Sequence, residues 1–199
     1  MQFYLNSTNL TEIRDMDSLG LLDGVAINAT VQMEDGQTFH EHLGKFCQRV
    51  KTSISVGVLS LNEKAIVKEG RELFRISENI IVKCPLTPAG LKATKRLTAE
   101  GIKVNMSLCF CLPQALLAAK AGAWCVSLCP NIHQQPSRND PALISSILQA
   151  FQHYGVNTRV LLTEIQEPQE LLDAILAGCH MCTVRFSTIQ QFFHRSNPI

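Results

Sequence analysis

Short β-favouring runs alternate with helix-like segments, and the pattern repeats eight times. It predicts an α/β protein whose parallel strands close into a compact (β/α)8 TIM barrel. Three observations carry that expectation. The alternation runs in order through all 199 residues. Central runs such as "NIIVKC" and "WCVSLC" are apolar enough for burial on both faces, as parallel strands require. No Pro-, Ser- or Gly-rich linker interrupts them, so residues 1–199 are expected to form one domain. An open doubly wound sheet is the alternative. Against it, the stretch "LNSTNLTE" around the end of the first strand holds no glycine and so lacks a phosphate fingerprint.

Each unit has its own signals. "QFYL" (2–5) precedes a polar-capped stretch that opens at Ser7-Thr8-Asn9. "GVAIN" (24–28) precedes a helix around 38–49. "SISVGVLS" (53–60) precedes "LNEKAIVKEGRELFRIS", where Asn62 can cap and Ile66, Leu73 and Ile76 recur near helical spacing. "NIIVKC" precedes "TPAGLKATKRLTAEG", with Thr87 as cap, Pro88 in the first turn and Gly101 as the stop. "KVNMSLCF" leads to "LPQALLAAKAG". "WCVSLC" leads through the loop "NIHQQPSRND" (131–140) to "DPALISSILQAFQHYG", with Asp140 as its cap. "RVLLTEI" leads to "PQELLDAILAG", and "MCTVRF" to "STIQQFF".

Composition narrows the function classes. The net charge is +1 and no basic block is present, which speaks against nucleic acid as a partner. No apolar run approaches the roughly 18 residues of a membrane span. "MQFYLNSTNL" does not read as a signal peptide, so a cytoplasmic protein is expected. The eight cysteines lie mostly in apolar strand-like contexts, as reduced buried thiols do. "CHMC" (179–182) has the spacing of a metal or redox pair, but a single pair is weak support, and no metal is expected.

Lys83 is the informative residue. It lies inside "NIIVKCPL", where an ammonium group needs water, a carboxylate or a chemical role. In a barrel, functional groups project at the C-terminal ends of strands. Polar residues of other strand ends would converge near Lys83: Asn6, Asn28, Asn105, Ser107, Ser127, Glu164 and Arg185. Partial desolvation disfavours the ammonium form, and a neutral amine attacks carbonyls to give a Schiff base. An ion pair between Lys83 and Glu164 is the competing reading. Trp124 is expected in core or helix–barrel packing.

The same segments resemble the small transaldolase and fructose-6-phosphate aldolase family, in order and over nearly the whole chain. "MQFYLNSTNLTEI" is similar to the family's opening, and "LGLLDGVAINAT" to its second strand, with Asn28 kept. "NIIVKCPLTPAGLKATKRLTAEGIKVNMSL" resembles the Schiff-base strand and the unit after it, with Lys83 on the catalytic lysine. "QALLAAKAGAWCVS" resembles the following helix and strand. The resemblance implies a class I aldolase or transaldolase acting on a ketose, ketose phosphate or dihydroxyacetone-type donor. It implies no cofactor, because the imine is the electron sink. Asn28, Asn6, Ser107, Ser127 and Arg185 are then the candidate substrate-binding residues. Glu164 and His133 are the candidate acid–base groups. The family's usual extra C-terminal helix is not expected here, and a homo-oligomer is left open.

Several positions depart from the family pattern. Asn6 stands where an Asp is usual, and Gly57 where a Glu or Gln is usual. Cys129 replaces an aromatic, Ile132 or His133 stands near an expected phosphate-holding Arg, and Glu164 falls on a small Ser. Three readings remain at this point: an active aldolase with altered specificity, a weak or inactive barrel that binds a sugar or a partner, and an interaction protein with an inherited lysine.

Overall fold

A computed structural model describes residues 1–27, 38–128 and 141–194. Within them, eight strands and eight helices alternate. The first half runs β1 (Gln2–Leu5), α1 (Leu10–Ser18), β2 (Gly24–Ile27), α2 (Phe39–Arg49), β3 (Ser53–Gly57), α3 (Glu63–Ile76), β4 (Ile80–Pro85) and α4 (Pro88–Ala99). The second half runs β5 (Val104–Cys109), α5 (Leu112–Lys120), β6 (Cys125–Leu128), α6 (Pro141–His153), β7 (Arg159–Ile165), α7 (Pro168–Leu176), β8 (Met181–Val184) and α8 (Phe186–His194). Each strand pairs in parallel with the next, and β8 pairs with β1, which closes a (β/α)8 TIM barrel. The open-sheet alternative is thereby excluded.

The helices start where short polar side chains meet free backbone N–H groups. The Ala65 N–H donates to Asn62 Oδ1 at 2.9 Å, and the Gly90 N–H to Thr87 Oγ1 at 3.0 Å. Both caps are the ones the sequence predicts. Asn9 caps α1, and Thr38 and Glu41 form a reciprocal capping box on α2. Asp140, the predicted cap of α6, lies outside the described residues. Strand 3 ends at Gly57 rather than Ser60. The reason is local: the Leu59 and Ser60 N–H groups donate to the Glu69 carboxylate, at 2.8 and 3.0 Å, instead of to a neighbouring strand.

Apolar side chains divide into two cores. The larger lies between the strands and the helices, and β4 contributes Ile80, Val82 and Cys84 to it. The smaller lies inside the barrel and consists of Tyr4, Ile81, Cys125, Leu161 and Met181. Trp124 packs against this inner cluster, not under a helix, with the Arg159 guanidinium 4.6 Å and the Lys103 ammonium 5.6 Å from its ring centre. Six of the seven described cysteines are buried, and burial pushes the Cys84 and Cys182 thiols up to about 12. Such thiols stay protonated at neutral pH and behave as apolar filling. No helix among the described residues is long and apolar enough to cross a membrane.

Candidate active site at the barrel mouth

Alternation along β4 sends Ile80, Val82 and Cys84 outward, and Ile81, Lys83 and Pro85 inward. Ile81 seals the inner cluster, while Lys83 and Pro85 line a cavity of about 410 Å³ at the C-terminal end of the strands. Lys83 is half-buried there. Register places it between Gly57 on β3 and Asn105 on β5. Gly57 places no side chain beside the lysine stem and itself lines the cavity.

A buried polar chain crosses the barrel interior beside Lys83. Ser127 Oγ donates to Asn105 Oδ1 at 2.7 Å, and Asn105 Nδ2 donates to Ser55 Oγ at 3.3 Å. All three residues are buried and all three line the cavity. Burial is tolerable because their polar atoms are paired with one another. Ser107 Oγ donates to the Cys84 carbonyl at 3.1 Å, which holds that hydroxyl against the strand of Lys83. Asn6, just after β1, also lines the cavity. Tyr4 stands at its foot, and burial, only partly offset by a hydrogen bond to Ser53, raises its phenol above the ordinary range.

Two β-bulges shape the rim. The β5–β6 register shifts between Met106 and Cys109, and the β7–β8 register between Leu162 and Ile165. Each shift contains a non-glycine residue in the left-handed region: Leu108 at φ 62° and Glu164 at φ 59°. Such a conformation costs about 1–2 kcal/mol. Both residues line the cavity, whereas strict alternation from Leu161 would turn Glu164 toward the helices. The Glu164 N–H donates to Thr183 Oγ1 at 2.7 Å, which holds the bulge in place.

Of the residues singled out in the sequence, the fold brings Lys83, Asn6, Asn105, Ser107, Ser127 and Glu164 together around one cavity. Arg185 is not among its described lining residues. β8 ends at Val184, and the Arg185 carbonyl accepts from the Thr188 N–H as α8 begins, leaving an exposed side chain. β8 presents Thr183 to the cavity instead. Asn28 and His133 lie outside the described residues. The ion pairs Lys68–Glu72, Arg71–Glu100 and Arg96–Glu63 are seen among the described residues, and the competing Lys83–Glu164 pair is not among these. Sequence reasoning missed Tyr4, Ser55, Thr163 and Thr183. Counting back by two from Gly57 would have found Ser55.

A family model described as Transaldolase/Fructose-6-phosphate aldolase matches residues 3–198. The chain belongs to that family. Among its curated relatives is a probable transaldolase of Methanococcus vannielii, 36% identical over 196 residues, which span 98% of this chain and 91% of the relative. Another probable transaldolase, from Geobacter sp. (strain M21), is 39% identical over 191 residues, 96% of this chain and 89% of that one. Family membership supports an aldolase-type function. Among solved structures, the N-acetylmannosamine-6-phosphate 2-epimerase from Clostridium perfringens superposes with a TM-score of 0.65 at 15% identity, over 98% of this chain and 91% of that one. A structure titled "Native KDPGal structure" superposes with a TM-score of 0.64 at 16% identity, covering 92% and 84%. At such identities these neighbours speak for the barrel alone.

Proposed function

We propose that this protein is a Schiff-base aldolase or transaldolase acting on a ketose, a ketose phosphate or a dihydroxyacetone-type donor. The observation that carries the reading is Lys83, an amine on the inward face of β4 in the mouth cavity. Its Nζ adds to the donor carbonyl, and loss of water gives a protonated imine. A base then takes the proton of the hydroxyl on the far carbon of the bond to be cut. That bond breaks, its electrons flow into the imine, and an aldehyde leaves behind an enamine. Protonation of the enamine completes an aldol cleavage, and attack on a second aldehyde completes a transfer. Hydrolysis returns the lysine. The imine takes up the electron pair at cleavage and the enamine gives it back to a proton or an aldehyde, so the cycle needs no cofactor.

Proton movement needs a titratable group near the substrate hydroxyl. Glu164 is the carboxylate among the described lining residues, and we assign it that task, directly or through a water. His133 is the second candidate from the sequence. Asn6 and Ser107 suit donor hydroxyls, and Asn28 has that role by resemblance. Ser127 gives its proton to Asn105, so it supports the substrate as an acceptor. A second reading, a barrel that binds a sugar without turning it over, draws support from Asn6 and Gly57, which stand where the family usually carries carboxylate or amide side chains.

Borohydride trapping tests the proposal. The protein is incubated with dihydroxyacetone, hydroxyacetone or fructose 6-phosphate, reduced, and weighed by mass spectrometry beside Lys83→Met. A ketone-sized adduct in the native protein and none in the variant is the expected result. Absence of an adduct with all three ketones would sink the Schiff-base reading and favour the sugar-binding barrel.

A further inference from the structure

We propose that Glu69 is a positioning residue whose carboxylate holds the β3–α3 rim, so that Ser60 and Leu61 stand over the part of a long donor that reaches away from Lys83. The inference rests on the proposed function for one thing, the position of the reacting carbonyl at Lys83. Glu69 lies half-buried on α3 and is not among the described residues that line the mouth cavity. It acts through the backbone. The Leu59 N–H donates to one of its oxygens at 2.8 Å, and the Ser60 N–H to the other at 3.0 Å. Hydrogen bonds to a carboxylate are roughly twice as strong as neutral ones, and two from adjacent residues fix direction as well as distance.

Apolar packing does little to fix this stretch, because Leu59 is 62% exposed and Leu61 83%. Two further bonds tie its ends. The Val58 N–H donates to the Lys83 carbonyl at 3.0 Å, and the Asn62 side chain accepts from the Ala65 N–H at 2.9 Å. Between those ends, the Glu69 clamp sets where Ser60 and Leu61 stand. Gly57 is the register partner of Lys83, and Gly57, Val58, Ser60 and Leu61 all line the cavity. The wall thus runs from the lysine outward to the rim. A three-carbon ketone bound at Lys83 stays beside Gly57. A six-carbon ketose extends along the wall, where the Ser60 hydroxyl suits a donor hydroxyl and Leu61 covers the carbon chain. Lys83 itself is held by the ladders of β3 and β5, so a loosened rim leaves the amine in place.

The test compares a short and a long ketone on the native protein, Glu69→Gln, and a rim variant that combines Ser60→Ala with Leu61→Ala and keeps the clamp. Gln preserves the shape of Glu69 but leaves one acceptor oxygen for two N–H groups. The concentration of fructose 6-phosphate that gives half-maximal borohydride trapping should rise about fivefold or more in E69Q and in the rim variant, as loss of one ordinary hydrogen bond does. For hydroxyacetone it should change less than twofold. A residue that only stabilised the fold would lower the urea midpoint and shift both ketones alike. Amide exchange reads the clamp directly: the Leu59 and Ser60 N–H groups should exchange faster in E69Q and not in the rim variant. Calorimetry with glucitol 6-phosphate, which cannot form an imine, should show the same weakening in E69Q. Equal shifts for both ketones, unchanged amide exchange, unchanged affinity for glucitol 6-phosphate in E69Q, or no binding of it to the native protein would overturn the proposal. An absent adduct with every ketone, beside weakened glucitol 6-phosphate binding in E69Q, would remove the Schiff-base reading and leave the role of Glu69 standing.

Discussion

At the scale of single residues, His180 shows how a side chain far from the mouth can set the response to pH. The Val160 N–H donates to His180 Nδ1 at 3.1 Å, and this bond exists only while that nitrogen carries no proton. Partial burial lowers the imidazole pKa, and the positive charges of Arg159 and the N-terminus push it the same way. The sign of the linkage follows. A group whose folded pKa lies below its unfolded value, here about 6.5, contributes stability above that value and loses it as pH falls toward the folded one. Urea midpoints should therefore decline as pH drops below about 6.5. His180→Asn places an acceptor close to the position of Nδ1 without a titrating proton, so it should flatten that decline. An unchanged slope in the variant would assign the acid loss to other groups. Glu100, held below the usual carboxylate range by hydrogen bonding to Arg71, is fully exposed, and its loss appears only at lower pH. Lys83 was legible at this scale because a charged residue inside a β run demands an explanation. Arg185 reads as part of the eighth strand because the sequence does not show that β8 stops one residue short of it.

At the scale of elements, strand ends decide what faces the mouth. The predicted caps at Asn62 and Thr87 hold because capping is local chemistry, readable within four residues. The two bulges were not readable, since a register shift is a relation between strands distant in sequence. Glu164 was therefore named as a candidate on position alone, and its turn into the cavity emerged only from the fold. The junction of β4 with α4 is the element most closely tied to Lys83. A Cβ on Gly90 would stand 2.0 Å from the Pro85 carbonyl oxygen, two residues beyond the lysine. That oxygen also accepts from the Thr87 N–H at 2.9 Å, so it cannot retreat without breaking the turn. Gly90→Ala should cost about 2–3 kcal/mol by overpacking and should also slow trapping at Lys83. Gly101→Ala is the control: it sits at φ +79° with nothing within 4 Å, so it adds only backbone strain of about 1 kcal/mol. Crowding against backbone should outweigh strain in open space. Equal urea midpoints for the two variants would show that α4 can shift away at little cost.

At the scale of the whole molecule, the barrel separates its two ends by task. Eight strands, their order and their closure were legible because periodicity repeats eight times and errors at single boundaries average out. The division of the interior was not, since it depends on which inward residue of each strand falls in which layer. Tyr4, Ile81, Cys125, Leu161 and Met181 form the inner apolar cluster, and Tyr4 and Leu161 line the mouth cavity together with the polar chain of Ser55, Asn105 and Ser127. Gly24 belongs to this packing, because a Cβ there would meet the Tyr4 ring at 2.3 Å. Trp124 covers the inner cluster, with Arg159 and Lys103 stacked on its ring. Stabilisation at that end should thus be separable from chemistry at the other. Trp124→Ala removes an aromatic that is only partly buried, together with cation–π contacts worth about 0.5–1 kcal/mol each. A loss of about 2–3 kcal/mol in urea unfolding is expected, toward the low end for truncating a large aromatic. The rate of borohydride trapping at Lys83, measured well below the unfolding transition, should change less than twofold, because Trp124 packs on the inner cluster and is not among the described residues that line the mouth cavity. If the rate falls in step with stability, the polar layer transmits strain across the barrel, and the interior is one mechanical unit rather than two.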